Sequence, residues 1–580
     1  MRKQKVILYL LAIFFLISLI FSLPVFAVTH QYIKARPLTE IVKTSVGICR
    51  DNDVTELPLI TWGGDIKSIL ANGNQQLTVK DSIFGKEGLR FKLFREDVFS
   101  KQVEYYLSCR SPYLRGTMGM IMEAAEVTSL DPRTAMVVVY QKTWSNGGDT
   151  LVVKDSIRTV RDLKGKTIAV NADGPHTDYL MKVLADGGLL VKDVKIVWTK
   201  DLTGTDLTPG AAFQNDPSVE AAMMIIPDAL ALTSGGTVGT GAEGSVKGAR
   251  ILLTTKTANR IIADVYAVRR DYLESHRDRV QNFVHGLMLA DEELHKLMQE
   301  KESRSAEYKK MITASAEILL DSSQATADAE GLYADAEFVG FAGNVEFFGN
   351  PNNLRNFERL TDEIQTAFIS LGLLSKKVPV DHARWDYNNL KKDLTNVEHV
   401  EVPRFDSAAA AVVIMRKQQQ ETLAEGELFS FEIYFQPTQN DFQADLYSDA
   451  FTRVVELASR YGGALITVEG HSDPLEYLRK KKVNPSDEVA LSRFTQAAKN
   501  LSFARANAVR DSVVAYARSK NVTMDPSQLV VVGHGFMRPK NGKCGTDPCA
   551  PKTEQEWRNN MRVEFRIIQV EAESSVFKPL

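Results

Sequence analysis

The sequence is poor in cysteine and in clustered positive charge. It has four cysteines among 580 residues, and no long run of lysine and arginine follows the first few residues. The formal net charge is -3, so no overall basic field would attract nucleic acid or an anionic membrane surface. These absences argue against nucleic acid as a partner. The length predicts more than one domain.

Sequence motifs of enzymes are also missing. No Gly-x-Ser-x-Gly, Walker loop, His-Glu-x-x-His or Ser-x-x-Lys motif lies near a plausible set of partner residues. The nine histidines are scattered, without the three-ligand spacing that a catalytic zinc site needs. We therefore predict a protein that is not an enzyme and that uses no cofactor and no metal.

The small, even number of cysteines suits disulfides in an oxidising compartment. Cys544 and Cys549 flank a short turn-rich loop, Cys-Gly-Thr-Asp-Pro-Cys, that a bridge could close. A metal site is the alternative there, but no second Cys or His pair lies nearby. Cys49 and Cys109 form a weaker candidate pair, because free buried cysteines are also common.

The N-terminus predicts export. After Arg2, Lys3 and Lys5, the segment Val6–Val28 contains no charge, and about 20 apolar residues suffice to cross a bilayer as a helix. The preceding basic residues predict a cytoplasmic N-terminus. The length favours an uncleaved inner-membrane anchor, whereas the small residues up to Ala27 suit a cleaved signal peptide. Either alternative places the rest of the chain in the periplasm.

The remaining chain predicts a multi-domain protein of the α/β and α+β classes. We expect a linker over 29–55, a two-lobed α/β domain with a largely parallel sheet over 56–300, a mostly helical region over 301–424, an α+β sandwich over 425–572 and a tail over 573–580. Strands alternating with helices carry the α/β prediction. The predicted strands of that domain are Leu57–Trp62, Ala135–Tyr140, Thr167–Val170, Val194–Trp198, Ala221–Ile226 and Arg250–Leu253.

The C-terminal quarter predicts the element order β-α-β-α-β-β. Its predicted strands are Phe429–Phe435, Ala464–Glu469, Leu529–Val532 and Arg562–Val570, and its predicted helices are Asp449–Tyr461 and Leu501–Ser519. Four short motifs lie along it in order. They are Gly-His-Ser-Asp at 470–473, Leu-Ser-Phe-Ala-Arg-Ala at 501–506, Gly-His-Gly at 533–535 and Asn-Met-Arg-Val-Glu at 560–564.

These motifs resemble those of the OmpA-like peptidoglycan-binding family, which includes MotB and Pal. The resemblance covers about residues 428–570 and implies that Asp473 and Arg505 bind the diaminopimelate of the stem peptide. The carboxylate of Asp473 would bind the ammonium group of diaminopimelate, and the guanidinium of Arg505 would bind its carboxylate through two hydrogen bonds. Asn560 and Arg562 match the last motif and would support the site. Alternatively, Asp473 and Arg505 only pair with each other.

The C-terminal sequence also departs from that family. Ser472 replaces the usual Thr, and Met561 replaces the first Arg of the last motif. The segment 474–499 is longer than the usual link and carries Lys480, Lys481 and Lys482, so it could line the pocket or block it. We expect the helix that carries Arg505 to begin near Leu501 and to offer free backbone N–H groups to an anion.

The middle domain carries the segment Asp-Leu-Lys-Gly-Lys-Thr-Ile-Ala-Val at 162–170 and the element Val-Glu-Ala-Ala at 219–222. These resemble the periplasmic substrate-binding proteins of the sulfonate and thiamine-precursor branch of ABC transporters. The resemblance implies a small molecule bound between two lobes that close about a hinge. The candidate contacts follow predicted strands: Trp62, Gly63, Asp65, Ser145, Gly147, Gly148, Asp149, Asp173, His176 and Asp228. Ordinary turn residues are the alternative for each one.

The sequence thus predicts an exported, membrane-anchored protein. Its C-terminal domain would bind peptidoglycan, and its middle domain would capture or sense a small solute. The alternatives are a structural tether from membrane to wall, with an inactive middle domain, and a substrate-binding component that delivers a solute to an ABC permease. The many acidic residues of the middle domain favour a cationic or amine-bearing solute.

Overall fold

The structure of the chain is a computed structural model. It describes residues 30–242, 244–398, 405–406, 409–410, 412–414, 416, 427–435, 447–544 and 547–568. The predicted membrane segment, the cleavage site after Ala27, the tail 573–580 and most of residues 399–424 of the predicted helical region lie outside these residues. Within the part that is described, no helix is both long enough and apolar enough to cross a membrane.

The described strands lie in three larger sheets and two isolated pairs. They are β1 (Thr55–Leu59), β2 (Phe91–Arg95), β3 (Tyr113–Thr117), β4 (Met136–Ser145), β5 (Asp149–Val153), β6 (Thr167–Asn171), β7 (Lys195–Thr199), β8 (Ala221–Ile225), β9 (Arg250–Thr254), β10 (Ala263–Arg269), β11 (Ala336–Phe338), β12 (Asp381–His382), β13 (Glu427–Tyr434), β14 (Leu465–Gly470), β15 (Leu529–Gly533), β16 (Lys543–Cys544), β17 (Asp547–Pro548) and β18 (Arg562–Ile568).

Helices cover these sheets. They are α1 (Leu38–Ile41), α2 (Ile66–Ala71), α3 (Ile83–Lys86), α4 (Phe99–Leu107), α5 (Met118–Glu123), α6 (Ala125–Thr128), α7 (His176–Asp186), α8 (Pro209–Asn215), α9 (Ile226–Leu232), α10 (Arg270–Ser275), α11 (Arg277–Gln299), α12 (Ser305–Leu320), α13 (Thr326–Ala334), α14 (Gly340–Gly349), α15 (Phe357–Leu371), α16 (Tyr387–Leu390), α17 (Ser448–Arg460), α18 (Leu475–Val483), α19 (Glu488–Ser519) and α20 (Glu554–Asn560).

Two sheets define two lobes. Lobe A contains the sheet β11-β4-β10-β3, with β12 beside β4, and the parallel pair β1-β2. Lobe B contains the sheet β7-β6-β8-β5-β9. The run Met-Val-Val-Val-Tyr at the start of β4 is buried throughout, as expected of β-branched and aromatic residues in a central strand.

The prediction of a largely parallel sheet is wrong, because both lobes have mixed sheets. In lobe B, β6 pairs in parallel with β7 and with β8, whereas β5 pairs antiparallel with both β8 and β9. In lobe A, β10 runs antiparallel to β3 and to β4. Every antiparallel pair in these two sheets includes β4, β5 or β10, and these strands lie next to the points where the chain passes between the lobes.

The chain passes between the lobes twice within this region. The first passage is the segment from Ser145 to Asp149, between β4 and β5. The second joins β9 to β10, and we call its residues 255–262 the crossover segment. Two adjacent connections of this kind allow one lobe to rotate against the other about a hinge.

Residues 30–50, predicted as a polar linker, pack against the two lobes. Leu38 and Val42 belong to the buried core of lobe A. Ile33 donates its backbone N–H to the carbonyl of Trp198 in lobe B, 2.9 Å away. Cys49 and Cys109 form a disulfide, which confirms the weaker of the two predicted pairs.

The C-terminal module, residues 427–568, has a four-stranded sheet in the order β13-β18-β14-β15. Strand β18 runs antiparallel to both β13 and β14, and β14 is parallel to β15. The predicted order of strands and major helices is present, with the additional helices α18 and α20. Cys544 and Cys549 form the second predicted disulfide, with their Cα atoms 5.5 Å apart.

The predicted helix start near Leu501 is wrong. Helix α19 begins at Glu488, where the side chain of Asp487 accepts a hydrogen bond from the N–H of Ala490. Arg505 therefore lies about 25 Å along this helix from its first residue. Free N–H groups occur only in the first turn, so they cannot assist Arg505. The segment 474–499 is helical, since it forms α18 and the first turns of α19.

Candidate functional site

Three carboxyl groups meet where lobe A faces lobe B. Glu123 ends α5 in lobe A, Asp173 follows β6 in lobe B, and Asp178 lies in the first turn of α7. The side chains of Glu123 and Asp173 are hydrogen bonded to each other. A Cβ atom at Gly119 would lie 2.6 Å from Oδ1 of Asp178, so α5 and α7 approach closely. We call Glu123, Asp173 and Asp178 the carboxylate cluster.

The carboxylate cluster is buried and incompletely hydrogen bonded. Glu123 is 2% exposed and Asp178 is 4% exposed. Among the described residues, Oε1 of Glu123, Oδ1 of Asp173 and Oδ1 of Asp178 have no hydrogen-bond partner. A buried polar atom without a partner is costly, so these oxygens are poised to receive protons or a cation.

Burial disfavours the charged form of all three groups. It raises the pKa of Asp178 from 3.8 to about 7, although Arg355 opposes the effect. Burial, reinforced by the negative charge of Asp173, raises the pKa of Glu123 well above its ordinary value. Burial also raises the pKa of Asp173. The cluster is therefore at least partly protonated at neutral pH.

Several of the predicted ligand residues lie together at the first passage between the lobes. The Ser145 hydroxyl donates to Asp149, and Thr255 accepts from the backbone N–H groups of Gly147 and Asp149 at 3.0 and 3.1 Å. Nε2 of His176 lies 2.7 Å from the other carboxylate oxygen of Asp149. These bonds tie the two passages and α7 together, so this group of residues positions the hinge.

Trp62 and Gly148 form a contact beside the hinge. The indole of Trp62 donates to Thr143, and a Cβ at Gly148 would lie 2.6 Å from the Trp62 ring. Only glycine fits at this position without displacing the ring. Two further acidic side chains flank the region: burial raises the pKa of Asp335 to about 7 and raises the pKa of the half-buried Asp228.

Gly63 and Asp65, also predicted as ligand contacts, instead make packing and ionic contacts within lobe A. A Cβ at Gly63 would lie 1.8 Å from the carbonyl oxygen of Leu332, so its role is close packing. The carboxylate of Asp65 is completely buried, 3.1 Å from Nε of Arg115 and 2.7 Å from Nζ of Lys142. Its charge is balanced within the lobe, which corrects the expectation that it faces a ligand.

In the C-terminal module, Asp473 and Arg505 interact electrostatically. Asp473 follows β14 and accepts a hydrogen bond from the N–H of Leu475 at 2.9 Å. Arg505 is 1% exposed, and its guanidinium lies 5.8 Å from the centre of the Phe435 ring. Burial lowers the pKa of Arg505, and the charge of Asp473 partly offsets this effect. Asp473 is the more accessible member of the pair.

Asn560 and Arg562 support the C-terminal module from within. Oδ1 of Asn560 accepts hydrogen bonds from the N–H groups of Lys540 and Asn541 at 2.8 and 3.0 Å. Arg562 pairs with Glu564 at 2.5 Å and lies 3.7 Å from Glu432. Both side chains fix the strand β18 and the loop beside it, which is a positioning role.

Among the described residues, Glu469, His471 and His534 are grouped as metal ligands could be, with ligand atoms within 4.8 Å of one another. Glu469 is already engaged, however, because His534 lies 2.6 Å and Arg566 3.1 Å from its oxygens. The charges of Arg562 and Arg566 add to burial in lowering the pKa of His471 well below its ordinary value. This positive surrounding disfavours a metal cation, and the group is better described as a buried ion-pair network.

The two mixed sheets, the paired passages and the facing carboxyl groups define a two-lobed α/β domain. Residues 134–290, which span parts of both lobes, match the family described as NMT1/THI5 like. The matched residues lie within the middle domain, for which the sequence predicts a resemblance to substrate-binding proteins.

Solved structures with similarity to the chain have low identity. The alkanesulfonate-binding protein SsuA from Xanthomonas axonopodis pv. citri, bound to MOPS, is 16% identical, covers 58% of this chain and 100% of its own, and has a TM-score of 0.37. The aliphatic sulphonate binding protein SsuA from Escherichia coli is 16% identical with coverages of 61% and 96% and a TM-score of 0.38. The desulfurization enzyme DSZB is 17% identical with coverages of 58% and 99% and a TM-score of 0.37. No curated protein matches the chain.

Proposed function

We propose that the chain is an exported solute-binding protein whose ligand is a small cation bearing an amine. The carboxylate cluster carries this proposal, since three partly unpaired carboxyl groups face one another between two lobes that can close. An ammonium group would donate hydrogen bonds to these oxygens and balance their charge. Delivery of the solute to an ABC permease in the inner membrane is the transport role that this fold would serve.

Putrescine is expected to bind the full chain, purified in detergent, more tightly at pH 8 than at pH 6. Asp178, with a pKa of about 7, is then mostly ionised. Asp178→Asn should weaken binding at least tenfold, since truncating one partner of a buried charge pair costs about 2–5 kcal/mol. Isothermal titration calorimetry measures both effects.

Asp155→Asn is the matched control, because Asp155 lies on the surface of the same lobe. It should leave the affinity for putrescine unchanged. An alkanesulfonate provides the anionic comparison. Preference for the sulfonate over putrescine and spermidine would contradict a cation-binding cleft.

We further propose that the C-terminal module binds peptidoglycan through Asp473 and Arg505. The observation that favours it is the electrostatic pairing of these two side chains beside the end of β14. A zwitterionic diaminopimelate head can replace that pairing by offering an ammonium group to Asp473 and a carboxylate to Arg505. Because Arg505 is buried, the ligand would first engage Asp473 and then require the neighbouring chain to move. With the predicted anchor, such a protein would link the inner membrane to the wall.

Asp473→Ala and Arg505→Ala should each reduce retention of the full chain on purified diaminopimelate-containing sacculi by about tenfold or more. Sedimentation of the sacculi with bound protein gives the retained fraction. Lys482→Ala, an exposed change on α18, is the control and should bind normally. Undiminished retention of both site variants would remove these residues from wall binding and leave the cation-binding proposal intact.

A further inference from the structure

The C-terminal module contacts lobe B at the C-terminal end of α7. Asp186, the last residue of that helix, accepts from Arg460 at 2.9 Å and from the Tyr461 hydroxyl at 3.2 Å. Arg453 donates to the backbone carbonyl of Asp186 at 2.6 Å. The side chain of Asp186 is 1% exposed, so its carboxylate is shielded from solvent. We call Arg453, Arg460, Tyr461 and Asp186 the Asp186 clamp.

The same module also holds the crossover segment. The N–H of Gly463 donates to the carbonyl of Thr257 at 3.1 Å, and the N–H of Arg260 donates to the carbonyl of Arg460 at 3.2 Å. A Cβ at Gly463 would lie 1.8 Å from the carbonyl oxygen of Lys256, so only glycine permits this approach. The C-terminal module is therefore hydrogen bonded to one of the two passages about which the lobes would rotate.

Helix α7 connects this interface to the carboxylate cluster. Its first turn contains His176 and Asp178, and its last residue is Asp186. The helix has 11 residues and is about 16 Å long. Between its ends, Tyr179 and Val183 belong to the same buried apolar cluster as Val454 of the C-terminal module. A helix packed in this way moves as a rigid body rather than bending.

A contact between the lobes lies beside the same helix. Lys182, on α7, is 2.9 Å from Glu363 of α15 in lobe A and 3.6 Å from Asp186. The contact between the lobes and the docking of the C-terminal module thus share an ionic network. Any rotation of lobe B that opens the cleft would have to move α7 against these partners.

We infer that docking of the C-terminal module through the Asp186 clamp and the crossover segment regulates closure of the solute cleft. The ligand named in this inference comes from the proposed function, whereas the conformational coupling does not depend on that function. The docked module favours the closed lobes, which are the arrangement that would enclose a cation. By reciprocity, a solute that closes the lobes strengthens the docking.

The experiment measures the distance between lobes in the full chain. Lys376→Cys in lobe A and Lys192→Cys in lobe B are exposed positions for nitroxide labels, and the four native cysteines are paired in disulfides. In the otherwise unchanged chain, double electron–electron resonance should give one narrow distance distribution. Asp186→Ala should add a population at longer distance. Arg453→Ala, a milder change at a half-exposed side chain, should do so to a smaller extent.

The second arm is the affinity for putrescine in the same variants. Asp186→Ala is expected to weaken it about tenfold, because a smaller fraction of the protein occupies the closed state. Arg158→Ala, an exposed change on lobe B away from the clamp, is the control for both arms. Distance distributions that stay identical in Asp186→Ala and Arg453→Ala would overturn the coupling. A shifted distribution without any putrescine binding would support the coupling and refute the proposed ligand.

Discussion

Asp65→Ala is expected to destabilise lobe A by about 3–5 kcal/mol, the usual cost of removing one partner from a buried ion pair. The substitution leaves Arg115 with Asp264 as its remaining carboxylate partner, 2.7 Å away. It also leaves Lys142 without its carboxylate, and both cations are completely buried. Native-state hydrogen exchange of the amides in β3 and β10 measures the local free energy of opening.

Lys142 limits the size of this loss. Burial lowers its pKa to about 7 even with Asp65 present, so in the variant it would release its proton and avoid an unpaired charge. Lys142→Met added to Asp65→Ala should therefore recover part of the stability. Asp53→Ala, at an exposed pair with Arg90, should cost less than about 1 kcal/mol. A small loss of stability with a large loss of solute affinity would instead make Asp65 a ligand contact.

Most strands and the longer helices could be predicted because their apolar periodicity is local. The strand predicted over Thr167–Val170 is observed as Thr167–Asn171, and the helix predicted over Asp449–Tyr461 is observed as Ser448–Arg460. The direction of the strands could not be predicted in this way. It depends on which strands become neighbours after the chain passes between the lobes, and residue patterns within a strand carry little of that information.

The start of α19 was missed because its first turns are polar and exposed. Only scattered apolar residues such as Leu491 and Phe494 occur before Leu501, and both are only partly buried. The Asp487 cap was the available signal, since an aspartate that precedes a helical run often accepts the first N–H groups.

The acidic residues of the cleft could be predicted from the sequence only in part. Asp173 could be predicted as a site residue because it follows a strand. Glu123 and Asp178 could not, because they lie within helices, where position along the sequence does not mark a functional site. The 52 residues 124–175 separate the two helices along the chain, and their carboxyl groups come together only because the two lobes face each other. Asp335 was missed for the same reason, since it belongs to a later part of lobe A.

The solute-free protein is expected to lose stability as the pH rises from 5 to 8. Asp178 has a pKa of about 7 in the folded chain against an ordinary value of 3.8, so the folded state retains a proton that the unfolded state releases. This contribution is complete below about pH 4 and is lost as the pH rises through 7. A pKa difference of about three corresponds to about 4 kcal/mol at most. Asp335 changes stability in the same direction.

Urea unfolding followed by tryptophan fluorescence at several pH values measures this dependence. Asp178→Asn should reduce the loss between pH 5 and 8, because the amide has no proton to release, and should leave the part contributed by Asp335. Asp155→Asn should retain the full slope. Saturating putrescine should restore stability at pH 8 and have little effect at pH 5, since a bound ammonium group replaces the missing proton. If Asp178→Asn kept the same slope as the unchanged chain, the protonation of this cleft would not govern its stability. The same data separate a cation site from a carboxyl group that is merely buried, because only the former gains stability from putrescine as the proton is lost.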